Sequence, residues 1–557
     1  MLVRDVLVEQ FVRLGVRHVF GVGGANIEDL FSAVQARRPE IRAVLCKHEH
    51  AAGTAADAYA RLRGFGVVMA TSGGGAMNLV HSLAEARASH VPVLAIVGEP
   101  PTELQGRGAF QDTSGKGNTL DARLVFQAAT GRAVRLGHPG DLPAALDSLL
   151  DGILGASAGP GVLLVAKDFQ RAEVTAAPRW WRKAVVPVVP AGNELDAAVR
   201  NLESRSVVVL AGAEVARAGA RRQLAELVER LDARVATTPD GRDAFANGDG
   251  RFLGVVGGMG HPAVNAALAE AETVLVVGTR LPLLARQGAE GVLRERTLVS
   301  VGHDPPYVRG LANLHVGGDL ALALGALARR LGRGSAASAP RAPVEAGRTE
   351  VRPDARLTAS VVLRLVNEAA NGAAVILADA GNTGATAAHE LAAPADGRYL
   401  MAMGMAGMGY TFGAATGAAC ATGKRVIAVA GDGAFFMNGL EIHTAVEHEL
   451  PITYVLLNNR AHGMCLVRER LLLNENAGYN AFRPSRLGAG LATMFPGLRA
   501  FDCDTAGELA ERLLEAGSSP GPAVVVAELD EVEVPPFAAF QARDPDAKTV
   551  EREPRGP

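Results

Sequence analysis

The sequence predicts an α/β protein of three domains, each a parallel sheet wrapped by helices, and three observations carry that expectation. At 557 residues the chain is too long for a single core and has room for three compact domains. Short apolar runs of β type alternate with Ala-rich helical stretches, the pattern of parallel strands joined by crossover helices. The first and last thirds of the chain also follow one another element by element under a constant shift of 359 positions.

Bulk composition narrows the class. Apolar residues make up 48%, charged residues 21%, and the formal net charge is −3, the balance of a soluble globular protein. Arginines are interleaved with acids, as from Arg217 to Arg234, so no clustered basic footprint invites nucleic acid. The amino-terminal MLVRDVLVEQFVRLG carries charges at helical spacing, which reads as a surface helix rather than a signal peptide. No apolar run reaches the ~18 to 20 uncharged residues that cross a bilayer, so no membrane partner and a cytoplasmic location are expected. Cys46, Cys420, Cys465 and Cys503 lie far apart without C-x-x-C spacing and are expected as free thiols.

Taken in order, VRHVFGVGG, IRAVLC, GVVMATSGG, PVLAIVG and GVLLVA supply strands within the first 170 residues. The alternation resumes with SVVVLAGAE and TVLVVGTR, and again with AAVILADAG near residue 373. AAPRWWRKAVVPVVPAGN marks a first break, and the Pro-, Ala-, Ser- and Arg-rich stretch before residue 356 marks a second. The expected division is 1–175, 190–333, a linker at 334–355, 356–545 and a tail at 546–557. Under the constant shift Val16–Val22 falls on Val375–Gly381 and Pro92 on Pro451. Two domains of one topology facing each other would leave a cleft where the carboxyl ends of their strands meet, the place where open α/β sheets bind ligands.

The segment richest in chemistry is GDGAFFMNGLEIHTAVEHELPITYVLLNN, in which Gly431, Asp432 and Gly433 close one apolar strand and Asn458 and Asn459 close the next. Twenty-four residues separate Gly433 from Asn458, enough for a turn, a helix and a returning strand. Asp432 and Asn459 would then lie at neighbouring strand ends and offer a carboxylate and an amide oxygen to a hard cation such as Mg2+. The backbone N–H groups of Gly433 and Ala434, opening the helix, would face phosphate. A GDG tripeptide alone is equally the mark of a plain tight turn.

The complete unit resembles the cofactor motif of thiamine-diphosphate enzymes. CKHEHAAGTAADAYAR, TSGGGAMNLVHSLAEARASHVPVLAIVGEPP, GRGAFQD and GMAGMGYTFGAATGAA follow acetohydroxyacid (acetolactate) synthase and its relatives in the same order, and VVVLAGAEVARAG and TVLVVGTR resemble that family's middle domain. The likeness spans roughly residues 1 to 535. It implies a pyrimidine-binding, a middle and a diphosphate-binding domain, with sites formed between two subunits of a homodimer or homotetramer. It implies Asp432, Asn459 and the main-chain oxygen of Ala461 as Mg2+ ligands, and Met408 as the bulky side chain that bends the cofactor. The carbonyl of Ala406 would hold the pyrimidine amine, and Gly381, Asn382 and Thr383 would form a diphosphate-binding turn where the synthases often carry Gln-His.

Glu49 takes the place of the catalytic glutamate. It follows an apolar strand and opens an Ala-rich helix, a setting expected to desolvate its carboxyl group partly and raise its pKa. A neutral acid there can exchange a proton with a pyrimidine nitrogen and so activate the thiazolium carbon. The activity implied is decarboxylation of a 2-oxo acid, pyruvate by default, and carboligation of the resulting enamine to a second carbonyl. The alternatives are a decarboxylase that releases an aldehyde and a non-catalytic relative that keeps only the fold. AFQD stands where the aldehyde-releasing enzymes present paired histidines, so Phe110 and Gln111 are expected to line the substrate site. Gly24 and Ala25 are expected near the reacting centre as a wall offering little steric selection. Arg468 stands where the synthases carry an acceptor-selecting Trp, and suits an anionic acceptor. The turn GTRLPLLARQG lacks the acidic pair beside the synthases' flavin, so no FAD, or a dispensable one, is expected.

Overall fold

The computed structural model describes residues 1–155, 158–174, 180, 188–331, 351–370, 372–473, 478–529, 532–537, 540 and 549–550. The expected linker 334–355 lies outside the described residues as far as 350, as does the tail 546–557 apart from 549–550.

The first sheet comprises β1 (His18–Gly21), β2 (Arg42–Leu45), β3 (Gly66–Ala70), β4 (Val93–Glu99), β5 (Ala133–Arg135) and β6 (Gly161–Ala166). The second comprises β7 (Val207–Ala211), β8 (Arg234–Thr237), β9 (Phe252–Val255), β10 (Thr273–Val277), β11 (Thr297–Val301) and β12 (Ala312–Val316). The third comprises β13 (Val375–Ala378), β14 (Arg398–Met401), β15 (Val426–Gly431), β16 (Ile452–Asn458), β17 (Arg499–Cys503) and β18 (Ala523–Glu528). All pairings within these sheets are parallel, so the expected fold class stands.

Unbroken apolar strands follow from burial on both faces. In β4, Leu94 and Ile96 join one core while Val93, Ala95 and Val97 join another. In β15, Ile427 and Val429 face one side and Val426, Ala428 and Ala430 the other. No helix among the described residues is long and apolar enough to cross a membrane.

The strand orders are β2-β1-β3-β4-β6-β5 and β14-β13-β15-β16-β18-β17, one topology used twice, whereas the middle sheet runs β12-β11-β10-β7-β8-β9. In the repeated topology successive crossovers leave in opposite directions at β1/β3 and at β13/β15, which opens a crevice at the carboxyl ends of those strands. The likeness of the first and last thirds is therefore structural. The gap-free shift is not: it puts Ile452 on Val93, the matching starts of β16 and β4, but Val375 on Val16, whereas β1 begins at His18. Loops of unequal length between the strands absorb the difference.

The two like sheets meet through the helices Glu49–Arg63 and Tyr410–Thr422. Their Ala and Gly content has a direct cause, since a Cβ on Gly413 would lie 2.2 Å from the Ala51 carbonyl oxygen and one on Gly417 2.0 Å from that of Ala55. The helices touch backbone to backbone. Asp57, Arg61 and Tyr410 close the same contact, with Arg61 Nε donating to Asp57 at 2.6 Å and the Tyr410 hydroxyl donating to Asp57. Gly417→Ala improves helix propensity by ~1 kcal/mol, yet is expected to lower stability by ~1 to 3 kcal/mol because the added methyl forces the helices apart. Denaturant unfolding measures the change, and an unaltered or raised stability would contradict the contact.

Candidate functional site

Three loops converge beyond β13, β15 and β16, adjacent strands of the third sheet. Asp432 follows β15 directly and is 1% exposed, and Asn459 follows β16 and is also buried. The Ala461 N–H donates to Asp432 Oδ2 and to Asn459 Oδ1, both at 3.1 Å, so one amide gathers the two side-chain oxygens. The adjacent Asn458 does something else. Its amide donates to Glu528 and to the Ser485 carbonyl, which makes it a brace between strands.

Burial raises the Asp432 carboxyl to about 7, against backbone N–H donors of Gly433, Ala461 and Arg460 that act to lower it. Among the described residues no ion pair reaches it. A buried carboxylate without a counter-ion is costly, and a cation shared with Asn459 and a main-chain oxygen would remove that cost. The donors are all oxygens, so the residues present fit a hard divalent ion.

Around this group the space is shaped by missing side chains. A Cβ on Gly433 would lie 2.7 Å from His462 Nδ1 and 3.1 Å from Met408 Cε, and one on Gly431 3.1 Å from Thr383 Oγ1. A Cβ on Gly463 would lie 2.8 Å from Asn459 Nδ2 and 3.0 Å from Asn382 Nδ2. Gly381 opens the helix Gly381–Glu390 at φ +77, a conformation that suits glycine. Asn382 Oδ1 and His462 Nδ1 are buried polar atoms without a hydrogen-bond partner, as expected where a polar ligand sits. The Gly433 N–H departs from expectation. It donates to Asp432 Oδ1 at 3.0 Å and so steadies the carboxylate; the expected face toward phosphate is left to the neighbouring Ala434.

Ala406 and Met408 lie in the loop between β14 and the helix Tyr410–Thr422, Ala406 exposed at φ +52 and Met408 half-buried. Two buried carboxylates hold this loop. Asp379, at the end of β13, accepts the N–H groups of Gly409 at 2.9 Å and Thr411 at 3.0 Å. Glu85, from the first domain, accepts those of Gly404 at 3.2 Å and Met405. Arg61 lies 3.3 Å from Glu85 and, with these N–H donors, offsets the effect of burial so that the Glu85 carboxyl stays below its usual range.

The second group lies at the carboxyl end of the first sheet. Glu49 is the first residue of its helix, capped by His48, whose Nδ1 accepts the His50 N–H at 3.1 Å. Glu49 Oε2 accepts from Asn78 Nδ2 at 2.9 Å, and Oε1 lies 2.8 Å from where a Gly75 Cβ would stand. The side chain is half-buried rather than enclosed. Gln111 takes φ +59 and fills the space over Gly73, a Cβ there lying 2.8 Å from its own. At Gly24 a Cβ would lie 2.6 Å from that of Thr71, so the position has no room for a side chain. Ala25 beside it is exposed.

Thus the structure brings together Asp432, Asn459, Ala461, Gly433, Met408, Asn382 and Thr383, and separately Glu49, Gln111 and the TSGGG turn. Among the described residues no hydrogen bond joins Glu49 to the Asp432 group. Phe110 is 77% exposed, and Arg468 is exposed at the end of the helix Gly463–Arg468, so one chain gives neither a pocket of its own. All four cysteines are free, as expected. Asp379 and Glu85 were absent from the sequence expectations. Asp379 carried a signal, a carboxylate ending an apolar strand in ILAD, as Asp432 does in VAGD; Glu85 carried none, since its loop partners lie 319 and 320 residues away.

The chain matches three parts of the thiamine pyrophosphate enzyme family: the N-terminal TPP binding domain over residues 1–118, the central domain over 195–327 and the C-terminal TPP binding domain over 379–527. It is 28% identical to the probable acetolactate synthase 2, chloroplastic, of Oryza sativa subsp. japonica, over 93% of this chain and 81% of that protein. It is 27% identical to the acetolactate synthase isozyme 2 large subunit of Escherichia coli (strain K12), over 94% of this chain and 96% of that one. An X-ray structure described as a thiamin diphosphate-dependent enzyme from Mycobacterium smegmatis superposes with a TM-score of 0.80 at 22% identity, covering 95% of this chain and 99% of that one.

Proposed function

The chain belongs to the thiamine pyrophosphate (thiamine diphosphate) enzymes, and from that premise we propose that it decarboxylates a 2-oxo acid, pyruvate by default, and joins the fragment to a second carbonyl. The observation that carries the site is the buried Asp432 carboxylate, gathered with Asn459 by the Ala461 N–H where three glycine-lined loops meet. Those two side chains and the Ala461 carbonyl would hold Mg2+. Thr383, Asn382, Gly381 and the backbone N–H of Ala434 would surround the diphosphate, while Gly433, its N–H turned to Asp432 Oδ1, would leave room for it. When bound, the cofactor would supply a nucleophilic thiazolium carbon and an electron sink for decarboxylation.

The remaining work falls to the chain. The Ala406 carbonyl would accept the pyrimidine amine, Met408 would fix the bend between the two rings, and Glu49 would hold a proton against a pyrimidine nitrogen. Glu49 is half-exposed in one chain, which favours a homodimer or homotetramer in which a second subunit's third domain covers it. A cytoplasmic location accords with the free cysteines. Glu49 and Asp432 both being present speaks against a non-catalytic relative, and AFQD in place of paired histidines favours ligation over aldehyde release. Purified protein with thiamine diphosphate, Mg2+ and a panel of 2-oxo acids tests this by mass spectrometry of carbon dioxide and products. Aldehyde in equal amount to carbon dioxide, with no ligated product, would reassign it to simple decarboxylation.

Arg468 is proposed to select an acceptor with an anionic group beyond its carbonyl, its exposure in one chain leaving the guanidinium available to such a group. Arg468→Leu is expected to weaken carboligation by ~1.5 to 3 kcal/mol while donor decarboxylation is unchanged. Equal kinetics in both half-reactions would return the residue to the surface. We also propose that FAD is absent or dispensable. The crevice beside Gly278, Thr279 and Arg280 encloses about 320 Å³, at the lower end of the roughly 300 to 1,000 Å³ of small-ligand cavities. A colourless preparation is expected, and a stoichiometric flavin spectrum would contradict it.

A further inference from the structure

Where the first and middle domains meet, two histidines and an aspartate converge in the crevice beside Gly278, Thr279 and Arg280, away from the Asp432 and Glu49 groups. His90 lies between the helix Val80–Ala88 and β4, and His303 and Asp304 follow β11. His90 Nε2 is 3.4 Å from Asp304 Oδ2 and His303 Nε2 is 4.0 Å from Asp304 Oδ1, with the two rings edge to face at 4.9 Å. One donor atom from each residue lies within 4.8 Å of the others. We propose that these three side chains form a second metal site, for a zinc-like divalent ion, that clamps the first domain to the middle one.

Bonds of about 2.0 to 2.2 Å at a tetrahedral angle place neighbouring ligand atoms about 3.3 Å apart. The His90–Asp304 pair already has that spacing, and the half-exposed His303 closes the remainder by side-chain rotation. His90 takes φ +54, in the left-handed region that a histidine adopts at a cost. That backbone aims its ring at Asp304, yet Nε2 is buried without a hydrogen-bond partner, which a metal bond would satisfy.

The surroundings brace the site as second partners do. Glu214 Oε2 accepts the backbone N–H of His303 at 3.3 Å, which holds the loop, and contributes a negative charge. Arg280 Nη1 reaches Asp304 at 3.7 Å from above the Tyr307 ring and steadies the carboxylate, while the charge of Glu214 acts on Arg217 beside it. Donor chemistry separates this site from the other. Two imidazoles with one carboxylate suit zinc or cobalt, while the all-oxygen group at Asp432 suits magnesium. Three protein ligands also leave a position open to the adjoining crevice, for water or a solute.

Untagged protein saturated with thiamine diphosphate and Mg2+, so that the Asp432 group is filled, is titrated with Co2+ and followed by visible absorption and dialysis. One tight equivalent with d–d bands is expected, together with a rise in melting temperature. His303→Ala and His90→Ala are each expected to lose at least tenfold in Co2+ affinity and the thermal shift, with thiamine diphosphate retention unchanged. If His90→Ala misfolds, His303→Ala in its half-exposed loop decides alone. Absence of a Mg2+-resistant Co2+ equivalent, or equal binding by His303→Ala, overturns the proposal.

Discussion

Asp432→Asn is expected to abolish Mg2+-dependent retention of thiamine diphosphate while leaving the chain folded. The asparagine keeps the size of the side chain and one oxygen for the Ala461 N–H, and it removes a carboxyl group that burial already pushes to about 7. Folding therefore loses little. A cation held as proposed would lose its one charged protein ligand, and removing one partner of a buried charge pair costs ~3 to 5 kcal/mol, at least about a hundredfold in affinity. Asn459→Leu should act in the same direction by deleting the second side-chain oxygen. Calorimetric titration of cofactor with and without Mg2+ reads the effect, and unchanged binding in both variants would remove the basis of the metal assignment.

Glu49→Gln should separate binding from activation. The diphosphate group is untouched, so the cofactor is retained, but an amide cannot exchange a proton with the pyrimidine ring. Loss of a positioned acid or base typically removes ~10² to 10⁴ in rate, so proton exchange at the thiazolium carbon should fall by that factor, read by NMR after quenching in heavy water. Full exchange in the variant would sink the role given to Glu49. The Asn78 amide, which donates to Glu49 Oε2, can donate equally to the amide oxygen of the variant side chain, so gross rearrangement is not a rival explanation.

What was legible in the sequence was whatever rests on neighbours along the chain. Period and apolar runs gave three parallel sheets, and the spacing from Gly433 to Asn458 placed Asp432 and Asn459 at adjacent strand ends, because a turn, a helix and a parallel return admit little else. Contacts made across domains left no such trace. Glu85 reads as one more charge on an Ala-rich helix, although it receives two backbone N–H groups of the loop carrying Ala406 and Met408. The setting of Glu49 between an apolar strand and an Ala-rich helix suggested partial desolvation, and at the head of its helix the residue is half-buried.

The backbone contact between the helices Glu49–Arg63 and Tyr410–Thr422 also decides how this gene can be recombined. Gly413 and Gly417 have no room to differ from the carbonyls of Ala51 and Ala55 that they meet, and Tyr410 is paired in the same way with Asp57. A chimera with a 27 to 29% identical relative joined anywhere between residues 63 and 410 takes the two surfaces from different parents. Such crossovers should yield few folded products, whereas exchanging the middle domain alone, with both helices kept from one parent, leaves that seam intact.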